Sequence, residues 1–494
     1  MVDRTDGYVT AVGYTHGYYS VLNPLRARLA FLNAGLHIGP IATACELGFG
    51  QGVSIACHAA ASPTRWHGND FNAEHVRFAR ELAAASGTEI GLHQDTFEAF
   101  AGRSDLPAFD YIGLHGVWSW VSDRNRAAIV DFIQRKLKPG GIVYLGYNAL
   151  PGWSALAPIR HLLVEHASRA EAGLGIVRRV DAAVAFFDAL LAAEPAYSRD
   201  NPQVAEWFAT LKDGDRRYLA HEFFNDHWAP MYVAEVARWL APAGLSYACS
   251  AAFPEHMDAA SLSPVQREML EKIQDPLLRE STRDFMVNRV FRQDYWVRQP
   301  RTLSDPERIA ALRAERVVLA SPKLPRKVRA ILALNQAAWY AACEAVLGVL
   351  ADHKPRTLGE IEQVLRPMGH DLAQIVDAAV LIASCGNLMA AQDAAVAAGV
   401  RSRTDMLNAH LIERARTQGD VQHLVSPVIG GGIEVGREQQ LFLSALKQGK
   451  TRAQEWVEEA ATYLGLPHDD DGLNEEATAF ANDALPLLRA FQIL

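Results

Sequence analysis

Residues 45–52 read Cys-Glu-Leu-Gly-Phe-Gly-Gln-Gly, with three glycines at alternate positions directly behind the apolar run 38–45. Such a run predicts a buried strand. The glycines let the chain turn sharply from strand into helix and let a ligand lie against main-chain atoms that no Cβ shields. The spacing is not Gly-x-Gly-x-x-Gly, so the dinucleotide fingerprint is absent. A plain strand-to-helix turn would need no more than this, but the next hundred residues add to it. A helix over 53–61 precedes a second strand, 66–70, that ends in Asp70, 18 residues beyond Gly52. A carboxylate at that distance can accept both hydroxyls of a ribose. A third strand, 90–93, runs into Asp95. A fourth, 109–115, ends in His115. A helix over 123–137 and the turn Lys138-Pro139-Gly140-Gly141 lead into a fifth, 142–147. Strand and helix alternating at this rhythm predict an α/β protein with a doubly wound parallel sheet.

Glu46-x-Gly48-x-Gly50-x-Gly52, the later acids and the Lys-Pro-Gly-Gly turn together resemble the class I S-adenosylmethionine (SAM) methyltransferases over residues 38–147. The resemblance implies a Rossmann-like core and SAM as cofactor, released as S-adenosylhomocysteine. It implies that Glu46 sits near the charged methionine part of SAM with Gly48, Gly50 and Gly52 packed beneath it, that Asp70 meets the ribose and Asp95 the adenine, and that Phe49, Phe71 and Thr96 are also cofactor-binding residues.

Composition narrows the class. At 494 residues, two to four domains are expected. A net charge of −9 leaves no general basic surface, which disfavours a nucleic-acid substrate. Five scattered cysteines (45, 57, 249, 343, 385) without a Cys-x-x-Cys pair argue against a disulfide framework or a zinc site, and no His and carboxylate set has metal-ligand spacing. The opening residues carry no signal-like segment and no run of 18 apolar residues occurs, so a cytoplasmic protein without membrane insertion is expected.

The chain divides into five expected domains. Residues 1–154 form the catalytic core with an N-terminal lid, and 155–215 an alanine- and leucine-rich helical insertion with helical spacing at Val180, Val184, Phe187, Leu190 and Leu191, a candidate dimerisation element. Residues 216–300 are expected to finish the sheet, with a helix over 230–240, a strand over 244–249 and an added antiparallel strand over 285–297. Residues 301–395 read as three helices (328–350, 357–365 and 371–384) with a small wing. That pattern resembles a winged helix, but residues 372–383 contain neither Lys nor Arg, so a packing or protein-contact role is favoured over DNA binding. Residues 396–494 read as further helices after the turn Gly430-Gly431-Gly432.

A narrower resemblance rests on Tyr14-Thr15-His16-Gly17-Tyr18-Tyr19 with Asn23-Pro24-Leu25-Arg26, His115-Gly116-Val117-Trp118-Ser119-Trp120-Val121, Tyr147-Asn148-Ala149-Leu150-Pro151-Gly152-Trp153 and His221-Glu222-Phe223-Phe224-Asn225. These segments are similar to the bacterial methyltransferases with a methyltransferase regulatory domain, among them the rickettsial outer-membrane-protein lysine methyltransferases. That resemblance implies methyl transfer to protein lysines. Methyl transfer needs nucleophile, methyl and sulfur held in line with water excluded. A lysine also needs deprotonation, which costs about 4.6 kcal/mol at pH 7 from a pKa near 10.4. His115, Tyr147 and Asn148, at the carboxyl ends of strands four and five, are the expected catalytic residues. Trp118, Trp120, Trp153 and His16 are candidates for a substrate pocket, with core packing the alternative for the tryptophans. Tyr14 and Tyr18 are expected to close over SAM. His221 and Glu222 read as structural. A methyltransferase of a sugar hydroxyl or small metabolite, and a non-catalytic interaction protein of the same fold, are the alternatives.

Overall fold

The computed structural model describes residues 6–170, 173–321 and 337–494. Its centre is a seven-stranded sheet: β1 (Thr43–Leu47), β2 (Arg65–Asn69), β3 (Gly91–His93), β4 (Phe109–Leu114), β5 (Leu137–Asn148), β6 (Leu245–Ser250) and β7 (Phe291–Arg298), in the order β3-β2-β1-β4-β5-β7-β6. The first five strands are parallel, and β7 runs antiparallel between β5 and β6. This is the Rossmann-like arrangement that the resemblance implies. Helices α1 (Pro24–Asn33), α2 (Val53–Ala61), α3 (Ala73–Ser86), α4 (Phe97–Ala101) and α5 (Asp123–Lys136) accompany the parallel strands.

Side chains alternate between two cores, as the pleat requires. Ala44, Tyr111, Tyr144 and Tyr295 face one core, which also holds the α1 residues Ala27, Ala30 and Phe31. Cys45, Ile112, Val143, Tyr147 and Trp296 face the other, with α5 and the helix Val233–Leu240.

Three elements differ from the sequence reading. The strand expected over 38–45 begins at Thr43, because the Asp110 carboxylate accepts the N–H groups of Ala42 and Thr43 and fixes the entry there. The extended segment expected over 285–297 is divided: a helix, Pro276–Val287, ends on Asn288 in the left-handed region (φ 49°), and β7 starts only at Phe291. Within 396–494, the glycine turn closes a hairpin, β11 (His423–Ser426) with β12 (Gly431–Glu434).

The insertion packs its own apolar cluster from the helices Ala157–Ser168, Ile176–Ala192 and Gln203–Lys212, with Trp153 and Phe223. Beyond it, a small antiparallel sheet, β8 (Arg316–Leu319), β9 (Arg356–Thr357) and β10 (Leu388–Ala390), carries the helices Ala337–Val349, Leu358–Leu365 and Leu372–Ser384. Thr357 caps the second of these through a reciprocal pair with Glu360. The expected helix start at 328 lies outside the described residues. Leu372–Ser384 is buried from Val380 to Ala383 and at Ile375 and Val376, so packing occupies much of its surface. No helix among the described residues is long and apolar enough to cross a membrane.

Candidate active site

A cavity of about 320 Å³ opens at the carboxyl ends of the parallel strands, the crevice where open α/β sheets hold their ligands. Its floor is the turn from β1 into α2. Gly48, Gly50 and Gly52 all have positive φ (68°, 58° and 75°). The turn is tied to the end of β2: the Asn69 carbonyl accepts the Gly48 and Phe49 N–H groups at 2.9 and 3.2 Å, and Asp70 Oδ2 accepts Gly50 N–H at 2.9 Å. A Cβ at Gly48 would stand 2.8 Å from the Val117 side chain, so the loop and the segment after β4 approach through the missing side chain.

Glu46 lines this cavity while being only 3 % exposed, and its Oε2 has no hydrogen-bond partner. Burial, with the neighbouring Asp70, pushes its carboxyl up to about 8. A buried carboxylate left open beside a glycine cradle fits the ammonium group of SAM's methionine part. Asp70 is held by the Asn72 N–H (2.8 Å) and faces His75 Nδ1 at 3.2 Å. Asn69 donates through Nδ2 to the Asp95 carbonyl, and Arg103 pairs with the Asp95 carboxylate at 3.2 Å. Phe49, Phe71, Asp95 and Thr96 also line the cavity.

On the acceptor side, His115 Nδ1 lies 2.8 Å from the Tyr144 hydroxyl and its ring centroid 4.3 Å from that of Tyr19. Burial lowers its pKa to about 4, so the imidazole is neutral. Trp120 and Tyr14 line the same space. The N-terminal segment crosses from the element around residue 221 to the glycine turn. Val9 N–H donates to Asn225 Oδ1 (2.9 Å), the Val12 carbonyl meets His221 Nε2 (3.1 Å), and the Tyr14 carbonyl accepts from Gln51 Nε2 (3.2 Å).

Seven expected site residues stand elsewhere. Tyr147 is three positions from Tyr144 along β5 and so points to the opposite face, where its hydroxyl donates to buried Asp294 at 2.8 Å. Asn148 is buried, and its backbone N–H donates to Ser119 Oγ. Trp118 is fully buried against Trp239, and Trp153 packs on Trp207, Trp228 and Phe223. His16 turns away to Phe78 and Asp420. Tyr18 is bonded to His58 at 3.0 Å and lies on Gly432. Gly52 caps α2, where a Cβ would meet that of Ala79 at 2.4 Å. Conversely, Asp6, Tyr8, Gln51, His75, His221 and Glu222 line the cavity. For His75 a signal existed, since Asn72 caps the helix that follows Asp70 and aims its first turn back at that acid. For Asp6 and Tyr8 none did, as their segment has no periodicity.

Residues 44–141 match the methyltransferase domain family, and residues 215–298 the predicted methyltransferase regulatory domain. Over 98 % of its length, and 98 % of the relative's, the chain is 33 % identical to the uncharacterized protein sll1526 of Synechocystis sp. (strain ATCC 27184 / PCC 6803 / Kazusa). The chain belongs to this family of SAM-dependent methyltransferases. A second relative, the uncharacterized protein RP789 of Rickettsia prowazekii (strain Madrid E), is 26 % identical over 57 % of this chain and 51 % of its own. The fold is shared with PKMT2 from Rickettsia typhi, solved in complex with AdoHcy: TM-score 0.70, 16 % identity, 97 % of this chain and 99 % of that one covered. The methyltransferase domain at residues 44–141 carries SAM as the cofactor of this protein.

Proposed function

We propose that this methyltransferase modifies lysine amines on a protein. The observation that carries the reading is the charge of the cavity wall. Asp6, Asp70, Asp95, Glu98 and Glu222 line it, with Glu46 ionised only when the SAM ammonium meets it, and among the described residues the one guanidinium against them is Arg124, itself paired with Glu98. Such a wall favours a cationic acceptor and repels carboxylates and phosphates. The end-to-end likeness to Rickettsia typhi PKMT2 supports the same reading.

Bound at the glycine turn, SAM supplies an electrophilic methyl group. Glu46 would meet the ammonium of its methionine part, and Asp70, already oriented by the Gly50 and Asn72 N–H groups, would take the ribose. Neutral His115, fixed through Nδ1 by Tyr144, keeps its Nε2 for the reacting side and adds no positive charge against an incoming amine. The segment 6–19, with Tyr14 and Tyr19, covers the cavity and excludes water, which strengthens each of these interactions.

Incubation with methyl-labelled SAM and lysine-rich proteins, followed by acid hydrolysis, should yield methylated lysine. Label confined to glycans, or released by mild base as a methyl ester, would refute the lysine assignment.

A further inference from the structure

The helix Arg216–Phe223, within the regulatory-domain match, places Glu222 in the wall of the cavity. Its partly exposed carboxylate has no hydrogen bond or ion pair among the described residues, whereas the buried acids Asp284, Asp294, Glu315, Glu362 and Glu459 are each matched to an arginine or a lysine. Tyr8, Tyr14 and Tyr19 of the N-terminal segment line the same cavity, and Tyr218 stands one turn before Glu222 on its own helix. Tyr14 and Tyr19 stand with hydroxyls 3.5 Å apart, and Tyr19 lies against His115. Phenols of the N-terminal segment thus reach from the cavity that Glu222 also lines to the end of β4. A lone carboxylate among tyrosine rings suits an alkylammonium, which gains a counter-charge and π faces together.

Building on the lysine reading, we propose that Glu222 and the tyrosines around it form the acceptor-amine site, and that Glu222 takes the proton from the incoming ammonium. The regulatory domain would then supply a catalytic residue. The Glu222 carboxylate removes one N–H proton from the ammonium and becomes the carboxylic acid. The amine lone pair forms the N–C bond as the C–S bond breaks, and that bonding pair stays on sulfur. The product is a methylammonium, and Glu222 returns its proton to solvent. Burial pushes the Glu222 carboxyl up to about 7, which matches it to this exchange near neutral pH.

The test compares binding of n-butylammonium with that of neutral 1-butanol to the full-length protein saturated with AdoHcy, read by saturation-transfer NMR at pH 8. The wild type should prefer the cation by at least tenfold. Glu222→Gln should lose the preference while binding SAM within twofold of wild type, and Glu222→Asp should keep part of it. No preference in the wild type, or a preference unchanged in Glu222→Gln, would overturn the site. A second readout is the pH profile of methyl transfer to poly-L-lysine. Wild-type kcat/KM should rise through about pH 7. The Glu222→Gln deficit, at least 30-fold at pH 7, should shrink toward pH 9 as the free-amine fraction grows about tenfold per unit. A deficit constant with pH would mean a merely structural role and overturn the proton transfer. Equal transfer by both proteins would sink the Glu222 assignment and leave the lysine reading standing. A Glu222-dependent cation preference without lysine methylation would sink the lysine reading and leave the amine site standing.

Discussion

Glu46 shows how much one buried oxygen can decide. Its carboxyl, raised to about 8 from an ordinary 4.5, is protonated in the ligand-free protein at neutral pH. With the ammonium of SAM placed against Glu46 as proposed, the ionised form is favoured and binding would expel a proton below pH 8. SAM affinity should therefore rise between pH 6 and 8, by up to tenfold per unit, until the ligand's own amine begins to deprotonate near 8. Calorimetry in two buffers of different ionisation enthalpy would detect the released proton, and Glu46→Gln should flatten the slope. The sign for stability is opposite. Between about 4.5 and 8 the folded chain holds a proton that the unfolded chain has lost, so Glu46 makes the ligand-free fold less stable as pH climbs. Saturating SAM should then raise Tm more at pH 8 than at pH 6, and equal shifts would contradict the placement. His115 is tested differently. Its neutral imidazole is bonded to Tyr144 and faces the cavity, so His115→Phe should keep SAM affinity within a few-fold and lower kcat at least tenfold. Normal turnover would reduce it to a packing residue.

At the scale of the element, β5 and β7 explain why one residue read as catalytic is architectural. Tyr147 donates to Asp294, which also receives Arg292 through two bonds at 2.8 and 2.9 Å. The same guanidinium reaches Asp284 at 2.7 Å and Glu280 at 3.1 Å, with Arg292 and Asp294 both fully buried. Removing Tyr147's hydroxyl leaves Asp294 its arginine, so Tyr147→Phe should cost only about 1 kcal/mol and leave SAM affinity and kcat intact. Arg292→Met takes the arginine from fully buried Asp294, while Asp284 keeps Arg289 at 3.5 Å and Glu280 keeps Arg283 at 3.2 Å, and it should cost about 3–5 kcal/mol. Urea denaturation with parallel activity measurements separates the two. A stable but inactive Tyr147→Phe enzyme would restore the catalytic reading. The sequence showed that Tyr147 and His115 lie near neighbouring strand ends. It did not show the face, because β5 is apolar on both sides and leaves no alternation from which to read the pleat. The glycine turn, the alternation of strand and helix and the position of Asp70 and Asp95 behind strand ends were legible because each depends on local spacing. Glu222 was not, because its role arises from a helix more than a hundred residues downstream folding back over the N-terminal segment.

Across the whole molecule, the same distinction explains the C-terminal residues. Their helices were legible, but their attachment to the core was not, since nothing in a helical period names its partner. The helix Ala394–Ala415 packs on α2 and α3, and Val53, Ala56, Cys57, Ala60, Phe78 and Leu82 share one apolar cluster with Leu407, Leu411, Leu424 and Phe442. Polar ties reinforce it: Gln392 Nε2 donates to the Ala61 carbonyl at 2.7 Å, Asn23 Nδ2 to the Ile429 carbonyl at 3.1 Å, and Tyr18 bridges His58 and the β11–β12 hairpin. The outer face of the very helix that follows the glycine turn is thus completed by residues more than three hundred positions away. A chain ending at residue 390 would expose that face, and each large side chain uncovered forfeits about 1.5–3 kcal/mol of burial. Such a fragment should express as aggregate or melt many degrees below the full chain. Adding SAM should not recover it, because the loss lies beneath the loop that binds SAM. A soluble fragment with the full-length Tm and SAM affinity would show instead that the core stands alone, and that the C-terminal residues were recruited to a finished fold.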